Sequence, residues 1–310
     1  MPTVPSRPAV ELALLALLAT LWGASYSFIK LGVATIPPIT LIAARTLIAG
    51  LVLLAALRLR GLTMPRDRAS WRRFAMQACL NSAVPFTLIA WAERTVDASL
   101  ASILNATTPI FAFLLTIAVT RHEAVTARKL FGIGAGLLGI VLVVGVDALR
   151  GAGQALVPQL AIVAATACYG AAAVFGRRFA GLDPMVPAAG SLVCGAAMLA
   201  PASLAFERPW LLAPSATSVL ALLALALLST ALAFVIYFRL FQTLGPVGAT
   251  AQAYLRVPVG VAIGVLVLGE QPSGTALIGL VCVIAGVLAM TWPAGKAGNA
   301  GPPGLHTRRA

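Results

Sequence analysis

Residues 98–120 read ASLASILNATTPIFAFLLTIAVT, a run without a single charge. A helix of about 20 apolar residues, rising about 1.5 Å per residue, crosses the roughly 30 Å hydrocarbon layer of a bilayer. The stretch therefore reads as a membrane-spanning helix. Pro109 sits near its middle, where it lacks an N–H and strains the turn around Asn105. Asn105 and Thr108 share one face of the same helix.

Similar apolar segments recur at about 12–31, 39–57, 74–92, 130–147, 157–176, 185–205, 216–237, 247–268 and 274–292, separated by proline, glycine and charge clusters. Of all residues 60% are hydrophobic and 10% charged, against roughly 25% charged in a soluble domain. The expected fold is an all-α integral membrane protein with ten transmembrane helices. Arg7 precedes an apolar segment with no small-residue cleavage site, so the first span is expected to stay in place.

The net charge of +13 falls between the apolar blocks and forms no basic patch with aromatics, which argues against a nucleic-acid partner. It reports orientation instead. With the N-terminus in the cytoplasm, sixteen lysines and arginines lie inside and four outside, and Arg45 and Arg256 lie within helices. Both ends are therefore expected in the cytoplasm, with the chain in the inner (plasma) membrane.

Compared with itself, the chain repeats at a shift of 147: Trp22-Gly23, Phe28 and Lys30 match Tyr169-Gly170, Phe175 and Arg177, while Glu123, Gly132 and Gly139 match Glu270, Gly279 and Gly286. Between these places Pro109 matches Pro258 at a shift of 149. Five helices are an odd number, so the second copy enters from the opposite face. Such inverted repeats place a substrate site near the midplane where the halves meet. The expected organisation is a tail over 1–11, a first repeat over 12–147, a linker over 148–156, a second repeat over 157–292 and a tail over 293–310.

These residues also carry a resemblance. LWGASYSFIKLGV (21–33), PPITLIAARTLIAG (37–50) and ASLASILNATTPIFAFLL (98–115), with VGATAQAYLRVPVGVAIGVLVLGE (247–270) as a second version, resemble the EamA family of the drug/metabolite transporter superfamily. The resemblance covers about residues 12–292. It implies two inverted five-helix bundles and secondary transport or export of small metabolites such as amino acids, sugars or nucleobase-like compounds. The spacing from proline to glutamate is 14 residues in the first half and 12 in the second, where about 13 is usual in the family. Arg121-His122-Glu123 also stands where Leu-Gly-Glu is typical.

Several polar residues lie inside apolar runs. Trp22, Ser25, Tyr26 and Ile29 share one helix face, suited to lining a cavity or to interhelical packing. The expected cavity lining is Trp22, Ser25, Tyr26, Asn105, Thr108, Tyr254 and Arg256, with Pro109 and Pro258 as structural kinks. Gln252 and Arg256 share one face of the ninth segment. The pairs Gly132/Gly136 and Gly260/Gly264 suit close helix approach, and Glu123 and Glu270 suit capping or solvated positions at helix ends.

Arg45 lies about 10 Å below the outer boundary, and an arginine near that position is typical of the family, so its expected role is structural. Arg256 lies deeper and next to a proline, and its counterpart is Thr107. It suits an anionic group such as a substrate carboxylate, with the carbonyl freed at Tyr254 as the alternative partner.

The four cysteines are far apart and read as packing residues. The histidines are His122 and His306, and all nine acids lie outside or at the ends of the apolar spans. No metal site, cofactor or acid–base cluster is expected, which argues against an enzyme. The expected function is a secondary transporter acting by alternating access, with a small-molecule substrate, the lipid bilayer as surroundings and a monomeric or homodimeric state. The alternative is a membrane-embedded enzyme or a structural membrane protein.

Overall fold

The computed structural model describes residues 8–120, 126–144, 156–243 and 252–291. Among them every regular element is helical. This follows from the solvent: with no water to satisfy a peptide group in hydrocarbon, a crossing segment must bond its own N–H and C=O groups.

Seven helices are long and apolar enough to span a bilayer: α1 (Ala9–Gly32), α2 (Pro38–Leu59), α3 (Arg68–Ala92), α4 (Ala98–Ala118), α6 (Leu156–Phe179), α7 (Met185–Glu207) and α8 (Ala216–Tyr237). Three apolar helices are shorter: α5 (Lys129–Val143), α9 (Leu255–Leu268) and α10 (Gly274–Ala289). Large apolar side chains such as Leu51, Leu220, Leu266 and Val281 are exposed on the flanks. For a soluble chain that surface would be a liability, but here it is the face turned to lipid.

The two halves pack through equivalent helices. α2 lies against α7, α5 against α10, α1 against α9, and α6 against α4. Lipid tails are as apolar as leucine, so the hydrophobic effect does not drive these contacts and close van der Waals approach does. Glycines create that approach. A Cβ on Gly139 would lie 2.8 Å from the Gly279 carbonyl oxygen, and one on Gly279 would lie 2.8 Å from that of Gly139. The repeat pair Gly23 and Gly170 does the same work in each half: Gly23 lies against Arg256 and Gly260 of α9, and Gly170 against Phe111 and Ala112 of α4.

The buried core lies at the junction of the halves. Tyr26, Leu41, Ile42, Ile89 and Ile103 of the first half meet Ile162, Leu225 and Val257 of the second.

Candidate functional site

A cavity of about 520 Å³ occupies this junction. Trp22, Ser25, Tyr26, Asn105, Thr108 and Arg256 line it, together with Arg45 and Pro109. The side chain of Tyr254 lies outside the described residues. The wall is completed by α3 (Gln77, Asn81, Phe86), α6 (Tyr169), α8 (Ser229, Phe234, Tyr237) and α10 (Val283, Ile284, Val287). A second cavity of about 430 Å³ shares Gln77, Asn81, Phe234 and Tyr237 with the first and reaches the 180–184 loop. The central space thus continues toward one end of the bundle.

Within the wall, α1 and α8 meet through rings. The Trp22 indole lies 6.1 Å from Phe234 at 77° and 5.5 Å from Tyr237 at 43°. Ser25 Oγ donates to the Trp22 carbonyl at 2.7 Å. The Asn105 amide donates to the Tyr26 hydroxyl, which ties α4 to α1. The side-chain amide oxygen of Asn105 (Oδ1) is buried and has no hydrogen-bond partner, and the same holds for Gln77 Oε1 and Ser229 Oγ.

The two arginines differ in how they are held. Arg45 is 5% exposed, donates from Nε to Thr230 Oγ1 at 2.9 Å, and stacks with its guanidinium carbon 3.8 Å from the centroid of the Phe86 ring. A charge inside an apolar helix costs up to roughly 2.5–3.5 kcal/mol at its centre on insertion scales, and a desolvated cation–π contact returns about 2 or more. Those contacts hold Arg45, and its side chain also forms part of the cavity wall. Arg256 Nε is buried with no hydrogen-bond partner. Among the described residues no carboxylate lines the cavity, so the two positive charges face it without an opposite charge.

Pro109 and Pro258 do different things. α4 breaks at Ala106–Thr107, just before Pro109, whereas Pro258 sits inside a continuous helix. At the break Leu104 O accepts from Thr107 N at 3.2 Å and Thr107 Oγ1 at 2.7 Å, and Asn105 O, which Pro109 cannot reach with an N–H, accepts from Thr108 Oγ1 at 2.8 Å.

Two wall segments depart from regular helix. A π-helical turn covers Cys79–Ala83 in α3 and another covers Leu227–Leu232 in α8. These wide turns carry Asn81 and Ser229 to the cavity and set Thr230 opposite Arg45. No sequence reading singled out Asn81, Phe86, Ser229 or Tyr237. Tyr169 was within reach, because it is the repeat counterpart of Trp22.

The described acidic residues gather at the bundle ends. At the end carrying the 33–37, 93–97, 208–215 and 269–273 loops, two glutamates of the second half cap helices of the first. Glu207 accepts from Ile39 N at 3.1 Å, Thr40 N at 2.6 Å and Thr40 Oγ1 at 2.7 Å. Glu270 accepts from Ala98 N at 2.7 Å and Ser99 N at 2.8 Å. Each satisfies N–H groups that a helix start leaves open and meets the positive end of its dipole. Glu123 lies outside the described residues. Among the described residues no group of His, Cys, Asp and Glu is placed to hold a metal ion.

Comparison with known proteins agrees with this architecture. The model of the EamA-like transporter family matches residues 10–145 and again 157–292. The chain is 30% identical over 275 residues to "Uncharacterized inner membrane transporter YedA" of Escherichia coli, covering 87% of each. It is 26% identical to "Uncharacterized transporter YoaV" of Bacillus subtilis, covering 88% of this chain and 93% of that one. It is 28% identical to the "Probable terminal-alkyne amino-acid exporter" of Streptantibioticus cattleyicolor, covering 88% and 91%. A crystal structure at 22% identity superposes with a TM-score of 0.64 over 92% of this chain and 96% of its own, which speaks for the fold alone. A doubled family match over two packed halves of apolar helices around one cavity makes the chain an integral inner-membrane protein that belongs to the EamA-like transporter family.

Proposed function

We propose that the chain exports small carboxylate-bearing metabolites, amino acids among them, by alternating access of the central cavity to the two faces of the membrane. The observation that carries this reading is the cavity, walled by both halves, with two arginines and, among the described residues, no carboxylate. Desolvated positive charges without a counter-ion favour an anionic group, and the planar fork of arginine suits a carboxylate. Arg256 is the substrate contact because its Nε is unengaged. Arg45, already held by Thr230 and Phe86, keeps a structural role. The rings of Trp22, Phe234 and Tyr237 and the aliphatic wall of α10 suit the apolar remainder of such a molecule. The relative named as an amino-acid exporter supports the substrate class.

In this reading the chain makes ten crossings as two inverted five-helix repeats, over 12–147 and 157–292, with both termini in the cytoplasm. The loops bound by Glu207 and Glu270 then face outward, and the cavity opens inward past Gln77 and Asn81.

The test is counterflow of radiolabelled amino acids and monocarboxylates in proteoliposomes. Arg256→Met should reconstitute in normal yield and lose about tenfold or more of its transport, the worth of a charge-assisted contact of about 1.5–3 kcal/mol. Arg45→Met should lower the yield of folded protein. Normal transport by a well-folded Arg256→Met chain would end the carboxylate-site proposal.

A further inference from the structure

Glu93 stands apart from the other acids. It follows directly on Ala92, the last residue of α3, and is 0% exposed. Neither carboxylate oxygen has a hydrogen-bond partner. The nearby cation does not neutralise it directly, because Lys30 Nζ donates to the Val96 carbonyl at 2.7 Å and lies 4.0 Å from Asp97. Glu270 is engaged with the start of α4. The groups whose charge reaches Glu93 are Lys30 and Tyr26 of α1, Arg45 of α2, and Glu270 after α9; on its own segment Arg94 and Asp97 are exposed.

An ionised carboxylate removed from water, with no donor on either oxygen, is strongly disfavoured against its neutral acid. Burial pushes the Glu93 carboxyl well above the ordinary carboxylate range, a shift that the Lys30 charge opposes, Glu270 reinforces, Arg45 opposes, and the Lys30 backbone N–H, outside hydrogen-bond geometry, opposes least. Beside Glu93 the 93–97 loop is tied to α1 by Lys30 and Val96, the start of α4 is tied to the second half by Glu270, and at the same end further bonds join the halves: Ser215 to Thr35, Ser218 to the Leu31 carbonyl, and Thr40 to Ser203 and Glu207. Parting these interlocked loops and helix ends admits water to Glu93 and removes the penalty on its charge.

We propose that Glu93 is a proton-binding site: it takes up one proton from the adjacent aqueous side as the interlocked loops close, and returns it when they part. The carboxylate gains the proton as an O–H bond and no other bond changes. Closed, the end binds one proton more than when open. Closure is therefore favoured at low pH and lost as pH rises from the ordinary carboxylate range toward the raised value, by up to about tenfold in the closed-to-open ratio per pH unit. Ionisation also gives Lys30 an alternative to the Val96 carbonyl, which loosens the 93–97 loop.

This inference goes beyond the transport reading, and its test needs no transported solute, so the two can fail separately. The full-length chain, with Cys79, Cys168, Cys194 and Cys282 replaced by serine, carries nitroxide labels at Ala34→Cys and Gly274→Cys in micelles of an ester-free detergent. Raising the pH from about 5 to about 9 should lengthen the inter-label distance. Glu93→Gln, permanently neutral, should hold the short distance throughout, and Glu93→Asp should restore the pH response. Infrared spectra over the same range should lose a protonated-carboxyl band that Glu93→Gln lacks and Glu93→Asp shifts, so that the aspartate variant reads the site even where the glutamine variant folds poorly. A distance in Glu93→Gln that follows pH as the parent does, or a parent without a titrating band at Glu93, overturns the proposal.

Discussion

Among the described residues, the two ends of the bundle are held in different ways. At the end of the 33–37 and 269–273 loops, hydrogen bonds run between the halves: Glu207 to the start of α2, Glu270 to the start of α4, and Ser215 and Ser218 to residues 35 and 31. Among the described residues of the opposite end the polar contacts are mostly local. Asp67 caps its own helix through Ser70 N at 2.8 Å, Trp71 bonds Pro65, and Asp183 bonds Met185. The tie described between the halves there joins Glu11 to Arg239 at 3.2 Å and to Thr243 at 2.9 Å. Among the described residues, one end is thus held by several bonds between the halves, and the other, where the second cavity emerges, by this tie.

Reversed sidedness of the two ends would give the largest effect. A single cysteine at Gly274→Cys in the interlocked end should react with an impermeant thiol reagent in intact cells, and one at Arg66→Cys should stay unlabelled until the cells are opened. Labelling of Arg66→Cys from outside would invert the assignment and make the central cavity open outward.

A smaller effect is expected from loosening the closure. Glu207→Gln combined with Glu270→Gln keeps the shapes but replaces charge-assisted caps by neutral ones, costing about 1–3 kcal/mol. The double variant should melt several degrees lower and show a longer distance between labels at Ala34→Cys and Gly274→Cys. If melting and distance both stay at the parental values, the interlock does not hold that end closed.

The smallest effect concerns the opposite end. Asp67→Ala removes a local cap from an exposed helix start and should lower the melting temperature slightly without moving any label across the interlocked end. The Ser70 backbone N–H holds the Asp67 carboxyl below its ordinary range. Its contribution is therefore present above the unfolded pKa and lost as pH falls through the lowered folded value. The difference between parent and Asp67→Ala should shrink on acidification; a difference that grows would reverse that sign.

Much of the fold was legible because membrane helices announce themselves by length and apolarity. The glycine matches that revealed the repeat, Gly23 with Gly170 and Gly132 and Gly139 with Gly279 and Gly286, also mark the places where the halves touch backbone to backbone. The faces of α1 and α4 were readable because Tyr26 and Asn105 are polar among apolar neighbours. The π-helical turns of α3 and α8 were not, since an extra residue in a turn leaves no compositional trace and changes which side chains face inward. Glu93 was hidden differently. Placed before Arg94 and Asp97 it reads as one of several loop charges, and only the folded loops remove it from water. The partners of Glu207 and Glu270 lie well over a hundred residues away, beyond any local pattern.

The break in α4 has a consequence of its own. A helix interrupted in hydrocarbon ordinarily depends on its surroundings to stabilise the loose carbonyls, so its angle follows whatever wets or covers it. In α4 the hydroxyls of Thr107 and Thr108 perform that task from within the same strand of chain. The helix in effect carries its own solvent. Its bend can persist with the cavity full or empty, as a fixed feature around which the rest of the bundle rearranges.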